Sequence, residues 1–402
     1  MRAVRQFEGN DGGRLPGLDT LRAAATVAVV LLHAAVPFSL TPMPGLAWPV
    51  RHPDPSGVVD VVFWTIACCV MPVFFWLSGY GAAHSLASRG VRAFLHARWR
   101  RIGIPLFAFG TILLPFELYL WLIGWALEGR IPWHKLRSLK MDNVGLWGLS
   151  HLWYLEYLLL YCGLLAAWDW VCRSRFAHGV RPVGFAIKVW RSPARFVVLT
   201  AVVAAVLWWS PKTVVGFQHS FFPVPAKFAF TGLFFVAGVL TFRAGAMHLS
   251  NGTVPMACAA AMLWAIFPWL QRQGTVELLG WDRVVLAVGL AGFAALMTGG
   301  LWDLCARQRA SCPRLVRFAS SSSYWTYLVH HPVVALCHIA LRPTGWPALV
   351  QFLLTAAMTL AACWLSYLWF VEGTALDELL GSRSSDRGLP TVEGAEPLRR
   401  AA

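Results

Sequence analysis

Asp19, Arg22, Thr26 and His33 are the residues of this 402-residue chain whose types and spacing best suit chemistry. Arg22 and His33 lie eleven residues apart, three helical turns plus about 20° at 3.6 residues per turn, so the four side chains share one helix face. The stripe runs about 21 Å, with His33 about 16 Å beyond Arg22 at 1.5 Å per residue. The surrounding run, LDTLRAAATVAVVLLHAAVPF from Leu18 to Phe38, is otherwise apolar and long enough to span a bilayer. An ionisable group at that depth costs roughly 2.5–3.5 kcal/mol on insertion scales, so it is expected to face a bundle interior or a watery cavity. Imidazole titrates at about 6.5, near neutrality, and His33 therefore suits proton transfer or nucleophilic attack. Arg22 suits an anionic group. Its plainer use is an i,i+3 ion pair with Asp19 at the membrane edge, and that pairing leaves His33 unexplained.

Three further groups invite the same question. The run MPVFFWLSGYGAAHSL ends in Ser78-Gly79, where small residues allow close backbone approach, and RGVRAFLHARWRRIGIP then brings Arg98, Arg100 and Arg101 just before Pro105. Guanidiniums gathered at a pore mouth suit a polyphosphate through bidentate, charge-assisted hydrogen bonds, although such clusters also serve as ordinary topology signals. In HLWYLEYLLLY, His151 and Trp153 are expected at the outer interface with Glu156 one turn deeper. Aromatic rings beside polar groups suit a sugar, but Trp and Tyr populate membrane interfaces by default. In SSSSYWTYLVHHPVV, His330 and His331 are expected at a depth comparable with His33, with Pro332 disturbing the helix. Adjacent residues point about 100° apart, so at most one of the two His is expected to face His33 directly. Glu117, well inside an apolar run, either pairs with a Lys or His or lines the cavity. Three His at one depth raise the possibility of zinc; with no HExxH and no carboxylate evidently placed as a ligand, no metal is expected.

These side chains must be positioned by membrane helices. The chain is 57% hydrophobic and 13% charged, with a mean hydropathy of +0.57. Soluble domains carry about 25% charged residues, so an all-α, polytopic membrane protein is expected. Ten runs read as spans: 18–39, 58–83, 104–127, 151–171, 196–209, 226–242, 254–270, 283–303, 322–341 and 348–371. With the N-terminus placed inside, only ten of the 34 Lys and Arg fall outside, so both termini are expected to be cytoplasmic. The net charge of +15 is explained by this loop bias; no nucleic-acid module is evident. Residues 1–14 read as a polar cytoplasmic segment without a cleavable signal, 15–375 as the membrane domain, and 376–402 as a disordered cytoplasmic tail. The nine Cys lack a CxxC pair and read as small core residues.

Taken together, the R-x10-H helix, FFWLSGY with its basic loop, HLWYLEYLLLY and SYWTYLVHHPV resemble the membrane acyltransferase-3 family, from about Leu15 to Glu372. The FFWLSGY and RRIGIP wording is similar to its glucan-modifying branch. That resemblance implies transfer of an acetyl or succinyl group from cytoplasmic acyl-CoA to a carbohydrate hydroxyl at the outer face of the inner membrane, with no cofactor beyond acyl-CoA as donor substrate. It implies a catalytic role for His33, with His330 and Tyr327 as oxyanion stabilisers. It also places Arg22, Arg98, Arg100 and Arg101 on the donor; the residue types add Asp19 and Ser78 to that end and His151, Trp153 and Glu156 to the acceptor. Partners are then acyl-CoA, a glycan and membrane lipids. Whether His33 deprotonates the hydroxyl or carries the acyl group itself is open at this level. A sugar or lipid-linked glycan transporter would share the buried ionisable residues, but has no special need of a phosphate clamp at one mouth.

Overall fold

The computed structural model describes residues 16–138, 148–175, 184–217, 219–245, 251–272, 279–308 and 310–380. Every regular element among the described residues is helical. The chain opens with α1 (Pro16–Ala35), α2 (Gly57–Ala67), α3 (Val70–Arg89) and α4 (Val91–Arg98), then a π turn over Trp99–Gly103 leads into α5 (Ile104–Leu127). There follow α6 (Lys135–Ser138), α7 (Trp153–Arg175), α8 (Gly184–Trp190), α9 (Ala194–Trp209) and α10 (Lys212–Val215). The second half holds α11 (Pro225–Ala244), α12 (Thr253–Arg272), α13 (Gly280–Ala306), α14 (Arg314–Ser321), α15 (Ser323–Leu341), α16 (Ala348–Phe370) and α17 (Ala375–Leu380).

Among the described residues eight helical runs are long and apolar enough to cross a membrane, or nine if the α8–α9 pair, bent by 108°, is one span. Two of the ten expected runs account for the difference. Residues 196–209 fall in the bent pair, and 322–341 form α15, which is not among the eight. Ser323, Thr326, His330, His331 and His338 lower the apolarity of α15, and all five are buried, because α15 packs between α1, α5 and α16. A helix wrapped by other helices need not be apolar to lipid. At the C-terminal end, residues 376–380 belong to α17, with Asp377 buried. Residues 1–15 and 381–402, which hold the N-terminal segment and most of the tail expected from the sequence, lie outside the described residues.

Glycine sets the closest helix crossing. A Cβ on Gly79 would lie 2.0 Å from the Phe235 carbonyl oxygen, and one on Gly238 would lie 2.0 Å from that of Trp76. The α3 and α11 backbones therefore touch directly, the small-residue contact expected between membrane helices. Elsewhere, α9 and α13 are joined by an ion pair of 2.5 Å between Arg195 and Asp303, both almost fully buried. Proline frees carbonyls for longer-range use. Pro332 has no N–H to give the Leu328 carbonyl, and the His151 imidazole takes that carbonyl instead, at 3.0 Å. Pro105 likewise leaves the Arg101 carbonyl, which accepts the Tyr324 hydroxyl at 2.8 Å.

Candidate active site

A cavity of about 590 Å³ runs among α1, α3, α5, α7, α11 and α15, within the range of about 300–1,000 Å³ that holds small ligands. Arg22, Ser78, Arg98 and Tyr154 line one end. Arg98 reaches the Gly81 carbonyl at 3.4 Å, the Ser78 and Tyr154 hydroxyls are 2.7 Å apart, and both guanidiniums act electrostatically on Tyr154. Asp19 is buried; its carboxylate accepts Ser320 Oγ at 2.8 Å and Arg22 at 3.4 Å. The i,i+3 pair thus exists, yet the Arg22 side chain is still 48% exposed and lines the cavity. Arg100 and Arg101 do not line it. Arg100, two residues past Arg98, points about 200° away from it on a helix.

His33 lines the same cavity three turns further along α1. Its Nδ1 lies 3.0 Å from His330 Nε2, and hydrogen-bond bookkeeping fixes both tautomers. His330 Nδ1 lies 3.0 Å from the Thr326 carbonyl and 2.8 Å from that of Tyr327. Carbonyls only accept, so His330 carries its proton on Nδ1 and offers the Nε2 lone pair. His33 must then donate from Nδ1, which leaves its Nε2 lone pair on a ring that lines the cavity. A base held in one tautomer by a second group is the arrangement of acyl-transfer triads. His330 itself is fully buried and does not line the cavity; it is a positioning residue. Trp48 stacks on His33 at 6.2 Å and 6°. It is held by His338, which accepts Trp48 Nε1 at 3.0 Å and gives its own Nε2 proton to the Ala34 carbonyl at 3.1 Å.

Tyr327 lines the cavity, but its hydroxyl donates at 2.5 Å to the His151 carbonyl. Its proton is engaged in bracing the start of α7 and is not free for an oxyanion. His151 is only 5% exposed. It does not stand at an outer rim: its ring stacks on His331 at 4.7 Å, and Nδ1 meets Glu117 Oε1 at 2.9 Å. Glu117 both lines the cavity and pairs with histidine, meeting His331 Nδ1 at 3.2 Å as well. Glu117 thus does both of the things expected of it, and it puts a carboxylate beside two imidazoles, although no carboxylate was evident as a metal ligand along the sequence. Glu117, His151 and His331 are the described residues whose donor atoms converge within 4.8 Å of one another.

Beyond the histidines the cavity is lined by Trp153, Lys227 and His219. The Lys227 ammonium sits 3.5 Å over the Trp153 ring, a cation–π contact. Glu156 is half-buried and outside the lining. Burial, with the His331 and Lys227 charges, pushes the His219 imidazole down to about 4, so it is uncharged at neutral pH. Both its ring nitrogens are buried without a hydrogen-bond partner. Sequence reasoning does not single out Trp48, Trp121, His219 or Lys227. Lys227 carried a readable signal, a cation opening the apolar run PAKFAFTGLFFVAG; Trp48 is one of 22 Trp and carried none.

The acyltransferase-3 model, described as an acyltransferase domain, matches residues 15–368. Curated relatives include the proteins called glucans biosynthesis protein C in Salmonella paratyphi B and Salmonella agona. Each is 23% identical over 348 residues, covering 84% of this chain and 86% of the relative. No solved structure matches the chain significantly. With the family model running from the start of α1 almost to the end of α16, the chain belongs to the acyltransferase-3 family and is a multi-pass membrane acyltransferase.

Proposed function

We propose that the protein transfers an acetyl or succinyl group from cytoplasmic acyl-CoA to a glucan hydroxyl at the outer face of the bacterial inner membrane. The observation that carries this reading is one cavity with two guanidiniums at one end and, about 16 Å along α1, an imidazole with a free Nε2 lone pair. CoA phosphates are too polar for hydrocarbon and are held by Arg22 and Arg98, while Arg100 and Arg101 add positive potential nearby. The uncharged pantetheine arm lies along Leu77, Phe74 and Tyr154 and carries the thioester to His33. The acceptor hydroxyl enters past His219, Lys227 and Trp153, which line the opposite end. The name of the relatives supports a glucan as acceptor.

In the reaction, His33 Nε2 takes the proton of the sugar hydroxyl as its oxygen attacks the thioester carbonyl. The tetrahedral adduct collapses, the C–S bond breaks, and the imidazolium returns the proton to the leaving CoA thiolate. His33 ends as it began. His330 holds Nδ1 throughout and stabilises the transient imidazolium. The test uses purified protein in proteoliposomes with labelled acyl-CoA and glucan. His33→Ala is expected to lose transfer by at least about 10²-fold while remaining monodisperse. A folded His33→Ala protein that retains most of the transfer would remove the imidazole from the chemistry.

A further inference from the structure

Glu117, His151 and His331 come from α5, the turn before α7, and α15, and each is at least nine-tenths buried. Glu117 Oε1 lies 2.9 Å from His151 Nδ1 and 3.2 Å from His331 Nδ1. Both contacts are short but poorly aligned for hydrogen bonds, and the three atoms are buried with no well-aligned partner among the described residues. The His151 tautomer sharpens the problem. Its Nε2 proton goes to the Leu328 carbonyl at 3.0 Å, so a neutral ring points the Nδ1 lone pair at a carboxylate oxygen. Two lone pairs facing each other in a low-dielectric interior repel unless a cation lies between them. An imidazole whose far nitrogen donates to a backbone carbonyl is the usual second-shell arrangement of a metal-binding histidine.

We propose that Glu117 Oε1, His151 Nδ1 and His331 Nδ1 hold a divalent transition-metal ion whose open coordination position faces the cavity beside His33. The donor set, two imidazoles and one carboxylate with no thiolate, suits zinc and its neighbours. Tetrahedral ligands at about 2.0–2.1 Å from a metal lie about 3.3 Å from one another; the Glu117–His151 and Glu117–His331 separations of 2.9 and 3.2 Å are close to that, and all three donor atoms lie within 4.8 Å of one another. All three residues line the cavity, and the His331 ring centroid is 4.8 Å from that of His33. A substrate oxygen in the open position therefore sits within reach of His33. Pro332 contributes directly, since it is the missing N–H at that position that frees the Leu328 carbonyl for His151.

The metal site rests on its own geometry; only its use in acyl transfer depends on the function proposed above. Metal uptake needs no acyl group, so failure of either idea leaves the other standing. The full chain, purified through a tag free of histidine, is dialysed against Zn²⁺, Mn²⁺ or Fe²⁺ and its metal content measured by mass spectrometry. About one equivalent of one of these ions per chain is expected, with Glu117→Gln and His331→Ala at background. X-ray absorption at the edge of the bound metal reads the donors in the parent protein, so the outcome stands even if a variant does not fold. Two imidazoles and no sulfur are expected. A parent that takes up no stoichiometric metal, folded variants that keep it, or a sulfur-containing shell would each overturn the site; the first would leave a protonated His–Glu pair.

Discussion

His330→Ala removes a side chain that does not line the cavity, yet it is expected to cost most of the catalytic rate. The 3.0 Å bond to His33 Nδ1 is what keeps the lone pair on Nε2. Without an acceptor for Nδ1–H, His33 is free to take the other tautomer and to rotate. Loss of the orienting group costs about 10⁴ in a serine-protease triad, and general-base catalysis as a whole contributes roughly 10²–10⁴. A fall in kcat of about 10²–10⁴, or about 2.7–5.4 kcal/mol at 1.36 kcal/mol per decade, is therefore expected. The structural cost is separate: an orphaned His33 N–H costs about 1–3 kcal/mol of stability. The assay is acyl transfer by the purified protein, with kcat and KM for acyl-CoA resolved and thermal unfolding recorded alongside. KM is expected to change little, because His330 does not line the cavity. His330→Gln, whose side-chain oxygen restores an acceptor, is expected to recover at least about tenfold of the lost rate, which a purely packing role would not explain. A folded His330→Ala protein within about threefold of the parent kcat would refute the orienting role.

Arg22→Ala and Arg98→Ala are each expected to raise KM for acyl-CoA about tenfold or more, whereas Arg100→Ala, outside the cavity lining, shifts it less; equal shifts for all three would reduce the arginines to a diffuse field. The same KM should rise between low and 0.5 M salt, since the Debye length is only about 10 Å at 0.1 M. Gly79→Ala drives a methyl group into the Phe235 carbonyl, and its overpacking is expected to cost about 1–3 kcal/mol or more, read as a lower Tm and weaker yield in detergent. Arg195→Ala removes the buried ion-pair partner of Asp303 and is expected to lower the Tm, by up to about 3–5 kcal/mol of stability where a buried pair is broken.

Much of the site was legible along single helices. The α1 stripe reads directly from the 3.6-residue period, and FFWLSGY announced a close helix contact that Gly79 makes. His330 was readable from YLVHH as a histidine at the right depth, though not its bond to a residue 297 positions away. What local spacing cannot give is convergence. Glu117, His151 and His331 are far apart in sequence and meet only because α5, α15 and the turn before α7 come together. His151 was misplaced towards the surface for a related reason: an apolar run tells where a helix enters the membrane, not whether other helices cover its end. The α15 span shows the reverse effect, since its polar residues weaken the hydropathy signal of a helix buried by its neighbours.

In the proposed mechanism the acyl group moves along one cavity from the arginine end to the histidine end. Proteoliposomes holding the protein in a single orientation, with glucan sealed inside and labelled acyl-CoA added outside, measure this directly. In the orientation that presents Arg22 and Arg98 to the acyl-CoA, the enclosed glucan should become labelled while no acyl-CoA enters the lumen, and His33→Ala should abolish the labelling. Transfer that occurs only when acyl-CoA and glucan share one side would contradict the account, even with His33 proved essential.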